Sequence, residues 1–212
     1  MLGRIFPVYG AESNEPWRTT SLFLLGTDRE VVISLALQAA VTTASRKEYV
    51  ALLGNSIVKT FHQVHGMPQY EDGMVDFIRP RYFATAESLI EYFVQFHMLP
   101  TLPDLIVLLG LEEFMKQTSQ SSTGDQEIIR LLAFLRDVVD FSSSQNGRPC
   151  GLIICYVGSE AGPGTPLHQF ASIRATRLWC ESQQKDCFTL GGYGKTHLTF
   201  CKEGSRLRLQ QG

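Results

Sequence analysis

The chain has 212 residues, a formal net charge of −2 and a pI near 6.2. Hydrophobic residues make up 44% and charged residues 19%, which excludes a disordered chain and suits one globular domain with a sizeable core. The slight acidity excludes a general positive field for nucleic acid or anionic lipid, so any such contact must come from a local patch.

Residues 1–20, ending AESNEPWRTT, are polar and turn-rich. They read as an N-terminal arm, with Ile5-Phe6-Pro7-Val8 as a candidate short strand. Residues 21–26 (SLFLLG) form a continuous apolar run ending in Gly, the pattern of a strand buried on both faces of a parallel sheet. TDREVVISLALQAAVTTAS then reads as a helix, with Thr27 and Glu30 at capping-box spacing. Residues 48–54 (EYVALLG) predict a second buried strand. Residues 55–75 are mixed, with HGMPQYEDG as a loop. Residues 75–83 (VDFIRPRYF) look extended, and Pro80 assigns that stretch to a sheet edge or ends its pairing.

ATAESLIEYFVQFHML is an amphipathic helix whose apolar face is Leu89, Ile90, Phe93, Val94 and Phe96. Residues 103–110 (PDLIVLLG) predict a third buried strand. After LEEFMKQ and the polar loop TSQSSTGD comes a long helix, QEIIRLLAFLRDVVDFS, and residues 150–158 (CGLIICYVG) predict a fourth buried strand. Residues 159–170 are rich in Gly and Pro. Beyond them TRLWCE, CFTL, THLTFC and RLRL alternate as antiparallel strands do. The expected fold is α/β: a mostly parallel sheet with helices on both faces and a C-terminal antiparallel extension.

In such a sheet ligands bind at the carboxyl ends of the strands. The turn leaving the first strand is where a phosphate loop, G-x-x-x-x-G-K-[ST], belongs: glycines let backbone N–H groups wrap phosphate, Lys supplies charge and the hydroxyl holds Mg²⁺. Gly26 matches the first glycine and Thr27 follows it, but Val31 replaces the second glycine, Val32 the lysine and Ile33 the hydroxyl residue. The metal-linked Asp that ends a neighbouring strand in such folds is replaced by Leu109. Glu112 and Glu113 follow at once; one would orient an attacking water in an enzyme, while both suit the first turn of a helix as ordinary dipole partners.

GGYGKT (residues 191–196) contains a GKT triplet, but Thr189 stands where the motif's first glycine belongs and the segment joins two extended runs, so a hairpin is expected. Cys180, Cys187, His197 and Cys201 lack the tight C-x₂₋₄-C pair of a zinc site. The five cysteines are irregularly spaced with no secretory leader ahead of them, which argues against a disulfide framework and for a reducing compartment. His62, His65 and His97 have no evident partners. The small basic groups Arg46-Lys47, Arg79-Arg81, Arg174-Arg177 and Arg206-Arg208 read as solvated surface charge.

The segments SLFLLGT, PDLIVLLGLEEFM, the helix over 127–141 and CGLIICYV together carry a resemblance, with GLEEF and CGL its most specific parts. Over residues 21–209 the chain resembles the RecA-like recombinase paralog of the metazoan Shu complex, the partner of a small protein with a SWIM-type zinc finger. That resemblance implies a RecA-like, P-loop NTPase-type core in stable heterodimer with the SWIM protein. It implies a nuclear role in homologous recombination and meiosis, supporting recombinase filaments on single-stranded DNA. Members often keep a phosphate loop; the departures at Val31, Val32, Ile33 and Leu109 imply that hydrolysis and the nucleotide cofactor are lost here. RecA-like proteins also use mobile loops near the carboxyl edge for single-stranded DNA, a place that residues 159–170 fit, with His168 and Phe170 offering rings and Arg174 and Arg177 offering charge. Phe83 and Ala86, in FATA, have the F-x-x-A form with which recombinases engage neighbouring subunits; plain core packing is the simpler expectation. The rival readings are a divergent ATPase using Glu112 or Glu113, and a general protein-interaction module.

Overall fold

The apolar runs form the middle of one sheet. The computed structural model describes residues 21–69, 71, 73–118, 124–158, 176–184, 186–192 and 195–210. In chain order its elements are β1 (Ser21–Gly26), α1 (Arg29–Ala44), β2 (Val50–Gly54), β3 (Gln63–Val64), β4 (Ile78–Tyr82), α2 (Ala86–Val94) and β5 (Leu105–Leu108). Then follow α3 (Leu111–Thr118), α4 (Gly124–Asn146), β6 (Gly151–Val157), β7 (Thr176–Gln184), β8 (Cys187–Gly192), β9 (Lys195–Glu203) and β10 (Arg206–Gln210).

The ten strands lie in the order β3-β10-β9-β8-β7-β1-β6-β5-β2-β4. From β7 to β4 every neighbour is parallel, and β7 through β10 alternate antiparallel. The expected α/β class is therefore present, with its C-terminal antiparallel extension joined to the parallel part by the β1–β7 pairing.

Successive residues of β1 serve two cores, which is why the run is apolar throughout rather than alternating. Leu22 and Leu24 meet Val31, Val32, Leu35 and Ala39 of α1 on one face. Phe23 and Leu25 belong to the core on the other face, which also holds Leu89 and Phe93 of α2, Phe114 of α3 and Leu131 and Leu135 of α4. Each fully buried Leu or Phe contributes about 1.5–3 kcal/mol of apolar transfer.

α1 is not amphipathic. It touches β1, β2, β5 and β6, β3 at the far edge of the sheet and the 3-10 turn Met74–Phe77, so most of its circumference is buried. Its buried hydroxyls are satisfied within the helix: Ser34 donates to Glu30 O, and Thr43 to Ala39 O at 2.8 Å.

Several local expectations are corrected. The N-cap of α1 is Asp28, not Thr27, and Glu30 does not reach back to the cap; its carboxylate is drawn to side chains from distant parts of the chain. Residues 75–77 are a 3-10 turn rather than strand, because the chain must first come round from Gly73 (φ +91°). α2 stops at Val94, and a separate 3-10 turn spans Phe96–Met98. Val94 consequently faces water at 51% exposure, off the predicted apolar face. The two-residue β3 has too little pattern to be read from sequence. Cys187 and Cys201, opposite each other in β8 and β9, are joined as a disulfide with 4.1 Å between Cα atoms, contrary to the expectation for the cysteines. Among the described residues no helix is long and apolar enough to cross a membrane.

Candidate functional site

β1 ends at Gly26, and only Thr27 and Asp28 separate it from the first helical residue. A Cβ on Gly26 would lie 2.8 Å from Val32 Cγ2 and 3.0 Å from Cys180 O, so this glycine serves the close approach of α1 and β7 to the strand end. Asp28 is extended (φ −95°, ψ 111°). Its Oδ1 accepts the Val31 N–H at 3.1 Å, and its carbonyl accepts that of Val32 at 3.1 Å. The side chains of Val31 and Val32 are wholly buried and Ile33 is 7% exposed. The helix thus starts three residues after the strand ends, and one of its leading N–H groups, that of Val31, holds the chain's own carboxylate.

Across from this turn, Leu109 continues β5 by donating its N–H to Leu53 O at 2.8 Å, with its side chain buried. Gly110, at φ +71°, swings the chain into α3. Glu112 is buried, and its Oε2 accepts the Val157 N–H at the end of β6 at 3.0 Å. Burial pushes its carboxyl above the usual range, against the Val157 bond and the Arg29 guanidinium 4.0 Å away. Glu113 pairs with Arg29 at 3.0 Å and with Lys116 at 3.5 Å. The two glutamates thus tie α3 to β6 and to α1. The Cys155 thiol beneath is also pushed up, by burial first and then by Glu112.

Between these elements lies a cavity of about 470 Å³. Arg29, Ile33, Asn55, Lys59, Leu109 and Glu113 are among its lining residues. Glu30, on its rim, accepts from Lys202 Nζ at 3.2 Å and Thr60 Oγ1 at 3.2 Å, and meets His62 Nε2 at 3.1 Å. Lys202, followed by Thr60 and His62, holds the Glu30 carboxyl below its ordinary value. The buried His62 also donates its backbone N–H to Ser34 Oγ at 2.7 Å. A triphosphate needs unopposed positive charge and open N–H groups; here Arg29 pairs with Glu113 and Lys202 with Glu30, while Lys59 holds no carboxylate among the described residues.

The other predicted residues are placed as follows. The Phe83 ring lies 5.2 Å from that of Tyr92, and Ala86 is buried at the start of α2. His168, Phe170 and Arg174 lie outside the described residues, as do residues 1–20; Arg177 pairs with Phe23 in the β7–β1 ladder, its side chain also outside. Gly192 and Lys195 face each other across the β8–β9 hairpin, as expected for GGYGKT. The disulfide engages Cys187 and Cys201, Cys180 is a buried thiol, and the His197 side chain is outside the described set. His65 donates its N–H to Leu207 O, and His97 Nδ1 lies 3.0 Å from Val94 O. Among the described residues no group of three or more His, Cys, Asp or Glu is placed to hold a metal ion.

Sequence reasoning missed Asp28 as the cap, although Asp is as good an N-cap as Thr and sits one residue nearer the first buried Val. It also missed the Glu30–His62–Lys202 group, for which no local signal exists. No family model matches the sequence, and no curated protein is similar enough to it to count as a relative.

Proposed function

We propose that this chain is a catalytically silent RecA-like scaffold. It pairs with a SWIM-type zinc-finger protein and supports recombinase filaments on single-stranded DNA, in the nucleus, during homologous recombination and meiosis. The observation that carries the silence is the closed turn after β1: Asp28 caps α1, and Val31 and Val32 are buried where glycine and lysine would be required. A parallel sheet with helices on both faces and an antiparallel C-terminal extension is compatible with a RecA-like core. The partner and the pathway rest on the sequence resemblance. Co-purification from nuclear extract tests them: a SWIM-type protein recovered in stoichiometric amount is the expected result, and a monomer indifferent to that protein contradicts it.

A second reading, a divergent nucleotide-binding protein, is favoured by the 470 Å³ cavity itself, which opens at the carboxyl ends of the strands beside Arg29 and Lys59. Against it stand the pairing of Arg29 with Glu113 and the capped helix.

A further inference from the structure

Among the described residues β4 is the last strand of the sheet and pairs with β2 alone. An open edge normally invites another strand. Here Phe83 N–H donates inward to Gly54 O at 2.9 Å. By alternation the N–H groups of Arg79 and Arg81 also face β2, and Pro80 takes an outward position, where it has no N–H to offer. The outward donor row is broken at its centre, so an extended peptide cannot complete a ladder there.

The side chains present something different. Arg79 and Arg81 project to one face, about 6.6–6.8 Å apart along the strand. The Arg79 guanidinium lies 4.4 Å over the Tyr49 ring, which Phe77 flanks at 5.1 Å. That of Arg81 lies 5.4 Å over the Tyr92 ring, flanked by Phe83 at 5.2 Å. Both arginines are exposed. Arg29, Arg136, Arg148 and Arg208 each hold a carboxylate within 4.0 Å; among the described residues Arg79 and Arg81 hold none. The turn that delivers Tyr49 carries exposed Arg46 and Lys47.

The geometry points to a binding strip for single-stranded nucleic acid along the β4 edge. A guanidinium held against a tyrosine ring is placed by that ring while it stays exposed to solvent. The N–H groups of Arg79, and those of Arg81 that are not turned to the Tyr92 hydroxyl, can reach phosphate oxygens, and an exposed guanidinium face can stack on an unpaired base. Two such groups one pleat apart match successive phosphates of an extended strand. An acidic peptide would find the charge but neither a ladder nor a use for the stacking faces. The strip stands on its own geometry, independent of the scaffold reading and of residues 159–177.

The test is fluorescence anisotropy of a labelled oligothymidylate with the full chain, from about 50 to 200 mM salt. Arg79→Gln with Arg81→Gln is expected to weaken binding on the order of 5–10-fold at low salt and to reduce the slope of log K against log salt by about 1. Both positions are exposed, so an unchanged thermal transition checks that the variant is folded. Arg174→Gln with Arg177→Gln, measured alongside, separates this strip from the later segment. Three results would overturn the assignment: no binding by the unaltered chain, affinity and salt slope unmoved in the β4 variant, or displacement by polyglutamate as effective as by unlabelled oligonucleotide at equal charge.

Discussion

The Asp28 carboxylate lies 3.1 Å from the amide nitrogen of Val31, so the first turn of α1 is closed by an anion from its own chain. The partial positive charge and free N–H groups of a helix start are what an incoming phosphate would use. Asp28→Ala is expected to lower stability by about 1 kcal/mol, seen as a lower urea midpoint with an unchanged slope, while Asp28→Asn retains most of it. Equal midpoints for all three proteins would show that the cap contributes nothing.

Glu112 makes a pH-dependent prediction. Burial raises its folded-state carboxyl above the ordinary 4.5, despite the Val157 N–H bond. A raised carboxyl favours the folded state below the unfolded value, and that contribution is lost as pH rises through the folded value. Glu112→Gln keeps an oxygen for Val157 and removes the buried charge. Its urea midpoint should exceed that of the unaltered chain near pH 7, with the gap closing at about pH 4. A gap that widens on acidification would reverse the assignment.

Asp104 anchors the opposite end of the sheet. It is 3% exposed, accepts the Tyr49 N–H at 3.0 Å and pairs with Arg148 at 2.7 Å. Asp104→Ala leaves the Tyr49 amide without its acceptor and Arg148 with only Glu48, 3.7 Å away, and should cost about 1–3 kcal/mol in urea denaturation. A loss under about 0.5 kcal/mol would show that water replaces the carboxylate there.

The cysteines divide by geometry. Alkylation of unfolded, unreduced protein should label Cys150, Cys155 and Cys180 and leave Cys187 linked to Cys201. Cys201→Ser should then lower the stability of oxidised protein by about 2–3 kcal/mol, the cost expected when a loop of this length is released in the unfolded chain. Labelling of all five would contradict the bond.

The central strands were legible because burial on both faces leaves an unbroken apolar run, as in SLFLLG and LIVL. That no G-x-x-x-x-G-K-[ST] follows β1 is a property of the sequence itself, since Val31 and Val32 stand at fixed offsets from Gly26. What periodicity cannot carry is contact between distant segments. Glu30 meets Lys202 only because β9 passes the start of α1, and Cys187 meets Cys201 only in the β8–β9 register. Arg79 and Arg81 read as solvated charge because the rings beneath them, Tyr49 and Tyr92, come from other elements. Val94 fitted the helical period and is exposed because α2 ends there.

The most direct measurement is calorimetric titration of the folded chain with ATP and Mg²⁺. A closed turn at Asp28, Val31 and Val32 predicts no saturable heat up to about 1 mM nucleotide. Micromolar binding that disappears on substitution of Gly26 or Glu112 would contradict it and place a working nucleotide site beside α1.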